Sequence, residues 1–265
     1  MDANFQEIGH GPGHDYFVGS PHLRHRSIRQ QIEDSLRLVI EESVSQSGSC
    51  HVLEVGAGRG DFTQVVLESG ARVLATEASS YAVSGLQVKF GNQDNLKIVH
   101  DPDDSWTTST QIRFDMCVCI SVLHHVKDYV GLVETLSEKI KEGGSFISWQ
   151  DPLYYERLNR HERVLAQAAY FVWRLGQGNL KQGIMTRLRR LRGVYDSQNP
   201  ADMVEYHVVR EGVDEMRLKR VLERYFGSVE LSTYWSTQMP LLQWVGESLK
   251  LKSSFILLAS NRLSS

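Results

Sequence analysis

The 265-residue chain has no run approaching the roughly 18 apolar residues that a membrane-spanning helix needs, and its start, MDANFQEIGHGPGHDYF, lacks a basic stretch followed by an apolar one. The expectation is a soluble, cytoplasmic protein without a membrane partner. An excess of one charge is missing too. Lys and Arg number 29 against 32 Asp and Glu, a net charge of -3, so no global field favours nucleic acid or an anionic surface. Cysteine is scarce: Cys50, Cys117 and Cys119 make up the set. The last two alternate with apolar residues in a strand-like run and read as buried small hydrophobes rather than ligands or a disulfide. Neither an internal repeat nor a low-complexity tract occurs. A chain of this length with 41% hydrophobic residues can bury one large core and still carry an added subdomain.

What is present is an alternation. Ile28, Ile32, Leu36, Leu38, Val39 and Ile40 fall near helical spacing between Ser27 and Ser45, ahead of the SQSGS turn. Strand and helix signals then follow in turn: HVLEV, a glycine turn, DFTQVVLESG, RVLATE, SSYAVSGLQVKF and KIVH. After a loop come the strand FDMCVCIS, the helix YVGLVETLSEKIK, the turn EGG and the strand SFISWQ. Five strands with interleaved helices predict a parallel sheet covered on both faces. Pro152 starts a stretch of helical character that includes RHERVLAQAAYFVWRL and GIMTRLRRLRGVYD. Beyond it the helix VDEMRLKRVLERYF leads to SVELSTYW, a connection containing Pro240, and a last strand SFILLAS. With no long helical crossover expected between them, these two strands read as an antiparallel close. The expected fold is therefore α/β: a doubly wound, seven-stranded, mostly parallel sheet with an antiparallel last strand. Its core covers 26–151 and 212–265, with an N-terminal lid segment over 1–25 and a helical, substrate-binding insertion over 152–211.

The turn after HVLEV is Gly56-Ala57-Gly58-Arg59-Gly60, between a strand and a helix. Glycines there permit positive φ and close approach of the backbone to a ligand. A dinucleotide turn spaces its glycines G-x-G-x-x-G, whereas here the spacing is G-x-G-x-G. Glu54 precedes the first glycine, and Glu77 ends the second strand, where a carboxylate can accept from ribose hydroxyls. These residues favour a nucleoside ligand and leave its identity open.

In their company, residues from about 50 to 150 and the closing strands resemble the class I methyltransferase family, which uses S-adenosyl-L-methionine and releases S-adenosyl-L-homocysteine. The family's E-x-G-x-G-x-G run matches Glu54, Gly56, Gly58 and Gly60, with Ala57 inside it, and implies contacts to the methionine portion of that cofactor. Glu77, followed by Ala78, matches the ribose-binding acid. The acid near the adenine amine aligns best with Asp101, with Asp103 and Asp104 as alternative registers. The ISVLHHV run resembles the segment lining the cofactor and the active-site mouth, which places Ser121, Val122, Leu123, His124 and His125 there. GHGPGHDYFVGSPHLRH resembles cofactor-covering segments, in which Tyr16, Phe17, His22 and Arg24 close over the ligand and Arg24 faces its carboxylate. A glycine-loosened tail is the alternative there.

Methyl transfer from a sulfonium needs alignment in a dry pocket, and an alcohol acceptor also needs a base near neutral pKa. Histidine suits that role. His124, His125 and His207 are the candidates, and each could equally be a packing or loop residue. Asp151, at the end of the fifth strand, could hold a divalent metal such as Mg with one of these histidines, but dense ligand spacing is missing and the metal is not favoured. From 151 to 210 there are ten basic and six acidic residues, with Arg187, Arg189, Arg190 and Arg192 close together. A solvated helix face is the preferred reading over a nucleic-acid grip. Tyr154, Tyr155, Tyr170, Phe171, Trp173 and Tyr206 suit a ringed or glycosidic acceptor that stacks on aromatic faces. The sequence thus predicts O-methylation of a small-molecule hydroxyl, a sugar or glycosylated metabolite among the options. The histidines favour it, as does the lack of an NPPY-like run. An N- or C-methyltransferase of a natural product is the nearest rival, and an RNA-binding protein on the same scaffold a rival of another class.

Overall fold

The computed structural model describes residues 19–176 and 212–264. The described elements begin with a one-turn helix α1 (Pro21–Arg24) and a long α2 (Arg26–Ser47), then β1 (His51–Val55), α3 (Asp61–Glu68), β2 (Arg72–Glu77) and α4 (Ser80–Phe90). Next are β3 (Leu96–His100), α5 (Ser105–Ser109), β4 (Phe114–Ile120), α6 (Tyr129–Lys139) and β5 (Ile140–Pro152). Within and after the insertion lie α7 (Arg160–Gly176), α8 (Glu215–Leu222), β6 (Phe226–Tyr234), α9 (Pro240–Ser248) and β7 (Ser254–Arg262).

The strands form one sheet in the order β3-β2-β1-β4-β5-β7-β6. β1 to β5 pair in parallel, and β7 runs antiparallel to both β5 and β6. The order reverses at β1 and β4, whose carboxyl ends therefore open the crevice in which such folds bind ligands.

Each face of the sheet is covered. α2 turns Ile28, Ile32, Leu36 and Ile40 onto Val52, Met116, Val118 and Ile147, and each such buried side chain stabilises by about 1.5–3 kcal/mol. The four are spaced by four residues and share one stripe, while Leu38 points to solvent. On the opposite face, Leu132, Val133 and Leu136 of α6 and Leu218 and Leu222 of α8 pack on Leu53, Cys117, Phe146 and Leu257. The three cysteines are free thiols in this interior, and burial raises the pKa of each, so they stay protonated.

Three local expectations are corrected. Pro21 at the start of α1 pre-sets helical φ, and His22 and Leu23 are buried, so the expected lid loop contains an anchored helical turn. The EGG segment lies inside β5, where the register against β4 shifts between Phe114 and Met116; Gly143 has φ +77° and Gly144 lies against the Asp115 carbonyl. The connection between β6 and β7 contains α9, which starts on Pro240 and rests Gly246 on the indole of Trp235.

At the base of the insertion, Leu153 bridges Val213, and Val213 N donates to the Pro152 carbonyl at 3.0 Å, so the chain returns where it departed. Arg157 clamps this point through Asp214 and Glu215, both at 2.8 Å. α7 begins with a reciprocal cap: Glu162 N donates to Asn159 Oδ1 at 2.9 Å and Asn159 N to Glu162 Oε2 at 3.0 Å. The arginine cluster and Tyr206 lie outside the described residues.

Candidate active site

The glycine turn leaves β1 with Gly56, Gly58 and Gly60 at φ +70°, +57° and +74°. A side chain at Gly56 would meet Val122 Cγ2 at 2.7 Å, and one at Gly60 would meet Phe90 Cε2 at 2.4 Å. Conformation and space both demand glycine at these two positions. Gly56 N and Ala57 N donate to the Thr76 carbonyl, which locks the turn to the end of β2. Glu77, at that end, accepts from Gly58 N at 2.7 Å and from Ser79 N at 2.9 Å. A carboxylate has about four acceptor sites, so two amides leave capacity for two hydroxyl donors. Ala78 is buried beside it.

Under the turn, Glu54 is buried and accepts from Thr63 Oγ1 at 2.6 Å. Burial raises its pKa to about 7; the Thr63 bond opposes this, and the charge on Glu77 adds to it. A cleft here is lined by Glu54, Gly56, Ala57, Arg59, Asp61 and Phe62 together with His22 and Leu23 of α1.

β4 ends at Ile120, and Ser121 turns the chain sharply with φ +61° while its N–H donates to the Trp149 carbonyl at 2.8 Å. Val122 packs on the glycine turn, and Leu123–His125 form a single 3-10 turn. There, Asp151 Oδ1 receives His124 N at 3.0 Å and lies 2.7 Å from His124 Nδ1. Ser148 Oγ donates to Asp151 Oδ2 at 3.1 Å. Asp151 is fully buried and His124 nearly so. Three convergent donors suit a carboxylate acceptor, with an imidazole proton on Nδ1 facing Asp151. The His125 ring lies 3.9 Å from that of His124.

Asp151 is thus the partner of His124. Among the described residues, no group of three or more His, Cys, Asp or Glu side chains could hold a metal ion. Two further candidates have partners within the fold. Asp101 accepts from Trp106 N, Thr107 N and Thr107 Oγ1, at 2.9, 2.8 and 2.5 Å, so its carboxylate holds the start of α5. Arg24 Nη1 donates to the Gln238 carbonyl at 2.9 Å, and it is His22 that lines the cleft. Tyr16, Phe17 and His207 lie outside the described residues. Sequence reasoning missed the Ser148 contact, and it missed Gln150. Gln150 is buried at φ +67°, accepts from Tyr234 Oη at 2.8 Å and donates to Ser236 Oγ at 2.7 Å. An isolated Gln carries no sequence signal for such a place.

Residues 23–182 match the family described as a methyltransferase domain. The ubiquinone biosynthesis O-methyltransferase of Coxiella burnetii is 28% identical over 123 residues, which is 46% of this chain and 49% of that protein. The enzyme of the same name from Leptothrix cholodnii is 26% identical over 107 residues, 40% of this chain and 46% of that protein. The chain spans about half the length of the curated relatives it matches. Among solved structures, the N-methyltransferase NodS from Bradyrhizobium japonicum WM9, in complex with S-adenosyl-L-homocysteine, superimposes with a TM-score of 0.56 at 12% identity, covering 98% of this chain and 97% of that one. The N-terminal domain of EvdMO1, in the presence of S-adenosyl-L-homocysteine and D-fucose, gives 0.52 at 14% identity, covering 88% and 84%. At these identities the structural likeness is one of fold.

The sheet order, the glycine turn and the family match define a Rossmann-like methyltransferase. The chain belongs to the methyltransferase domain family.

Proposed function

We propose that the chain transfers a methyl group from S-adenosyl-L-methionine to a hydroxyl of a small molecule, with His124 as the base. The observation that carries this reading is the buried Asp151–His124 pair at the carboxyl ends of β5 and β4, where Val122 packs on the glycine turn, with Asp151 held in turn by Ser148. The residues fit the cofactor. The cleft joins a positive-φ glycine turn to Glu54, and Glu77 retains acceptor capacity for ribose hydroxyls. When bound, S-adenosyl-L-methionine supplies a methyl group already activated by its sulfonium. Gly56, Ala57, Gly58 and Gly60 would hold its methionine end, Glu77 its ribose, and Ser121 and Val122 the side facing the acceptor.

The chain's own part is to bind, to exclude water and to move one proton. Nε2 of His124 takes the acceptor's hydroxyl proton as the oxygen attacks, and Asp151 stabilises the imidazolium that forms. Tyr154 and Tyr155 are offered as the start of a wall for a ringed or glycosidic acceptor.

The test is a methyl-transfer assay over a panel of phenols, sugars and glycosides, with the product's methylated atom assigned by NMR. In a responsive assay, Asp151→Asn and His124→Ala are expected to lower turnover by at least about 100-fold while S-adenosyl-L-homocysteine affinity changes by less than about twofold. A product methylated on nitrogen or carbon refutes the hydroxyl reading. Unchanged turnover in His124→Ala removes the base.

A further inference from the structure

β5 changes step just before Asp151. Up to Trp149 its residues alternate across the sheet in register with β7: Phe146 and Ser148 pair with Ala259 and Leu257 on the α6 and α8 side, Ile147 and Trp149 with Leu258 and Ile256 on the α2 side. Continued alternation would set Gln150 opposite Phe255 and return Asp151 to the α2 side. The pairing instead skips Gln150. Asp151 lies opposite Phe255, which belongs to the core under α6 and α8. Gln150 is therefore the extra residue of a β-bulge, and it has φ +67°, in the left-handed region that side chains other than glycine rarely adopt.

This one residue decides which face Asp151 occupies. Ser148 and Asp151 are three residues apart, an odd spacing that a regular strand puts on opposite faces, yet Ser148 Oγ donates to Asp151 Oδ2 at 3.1 Å. His124 approaches the same carboxylate through N and Nδ1. The Gln150 side chain is held elsewhere. It accepts from Tyr234 Oη at 2.8 Å and donates to Ser236 Oγ at 2.7 Å, both beyond the intervening β7, and the Tyr234 ring lies 5.5 Å from that of Trp149 on the α2 side.

We propose that Gln150 is a positioning residue: its left-handed backbone forms the bulge that turns Asp151 to His124, and its bonds to Tyr234 and Ser236 hold that backbone in place. The consequence for turnover rests on the reading of His124 as the base. The bulge itself does not depend on that reading.

Proton NMR of the full chain labelled with ¹⁵N-histidine tests it. An imidazole N–H bonded to a buried carboxylate gives a far-downfield, slowly exchanging resonance, assigned to His124 by its absence in His124→Ala. Gln150→Gly removes both side-chain bonds but relaxes the left-handed backbone, and the resonance is expected to persist. Gln150→Val disfavours that backbone, so the strand is expected to return to regular pairing and the resonance to vanish, as in Asp151→Asn. S-Adenosyl-L-homocysteine affinity by calorimetry should stay within about twofold. With an acceptor from the panel, Gln150→Val should lower kcat by at least about 100-fold with KM within about threefold, and should add nothing to Asp151→Asn. If Gln150→Val does not fold, Gln150→Ala replaces it: it lacks the same bonds as Gln150→Gly and differs by one methyl, and its resonance should be weaker than that of Gln150→Gly.

A resonance kept in Gln150→Val, or lost equally in the glycine and alanine variants, overturns the assignment. So does a loss of S-adenosyl-L-homocysteine affinity that accompanies the loss of the resonance, since the whole site would then have collapsed. Absence of the resonance in the unaltered protein refutes the Asp151–His124 bond, and this proposal with it. Resonances that behave as expected while turnover does not follow them leave Gln150 as the residue that turns Asp151 and refute His124 as the base.

Discussion

Replacing Glu54 with Gln keeps the side-chain shape and an oxygen that can accept from Thr63, but it takes an ionisable group out of the interior. In the unfolded chain this carboxyl titrates at an ordinary 4.5, and in the folded protein burial moves it to about 7. Below the first value it is protonated in both states and costs nothing. Above the second it is ionised in both states, and the folded protein then bears the full cost of a buried charge. At about 1.4 kcal/mol for each tenfold change in the proton equilibrium, that cost is about 3 kcal/mol. Its sign follows from linkage: the unfolded state releases the proton first, so stability is lost as pH rises toward and through 7. Urea unfolding of both proteins at about pH 5 and about pH 8 should show the advantage of Glu54→Gln growing by about 2–3 kcal/mol between the two conditions. In thermal scans the same change is worth about 5–10 °C. Carboxylates not coupled to Glu54 titrate alike in the two proteins and cancel in the difference. An advantage that stays constant across this range would refute the reasoning, because it would mean that Glu54 titrates alike in the folded and unfolded chain.

Gly56→Ala combines an unfavourable φ of +70° with a contact of 2.7 Å to Val122 Cγ2; the expectation is a loss of about 1–3 kcal/mol in urea unfolding, together with weaker S-adenosyl-L-homocysteine binding by calorimetry. Gly246→Ala would place its methyl 2.2 Å from Trp235 Cδ1, so α9 should lift, with a loss of about 1–3 kcal/mol and a red shift of tryptophan emission, while cofactor affinity is retained. Methyl transfer should continue at its full rate after exhaustive chelation, because Asp151 is committed to His124; a rate restored only by added Mg would return the metal to the mechanism.

The order of elements and the identity of the cofactor turn were legible in the chain itself. Alternating strand and helix signals leave few topologies, since parallel strands must be joined by crossovers of one hand. Glycines at 56, 58 and 60 mark backbone that other residues adopt only under strain, and all three have positive φ. Local pattern also accounts for where it misled: the expected turn at EGG holds Gly143 at φ +77°, but β5 continues through it as a bulge.

The partners of the reactive groups were decided by tertiary structure alone. His124 and Asp151 are 27 residues apart on the ends of different strands, and nothing in either segment announces the other. The pairing exists because β4 and β5 are neighbours in register, which brings their carboxyl ends to one edge. At the N-terminus the deciding step was a rotation. Successive residues of an α-helix are about 100° apart, so His22 and Arg24, two positions apart, face nearly opposite ways. With Leu23 in the core, His22 is buried in the lining of the cleft and Arg24 reaches the Gln238 carbonyl. A sequence names both residues as candidates, and only the packing of α1 gives each its neighbours.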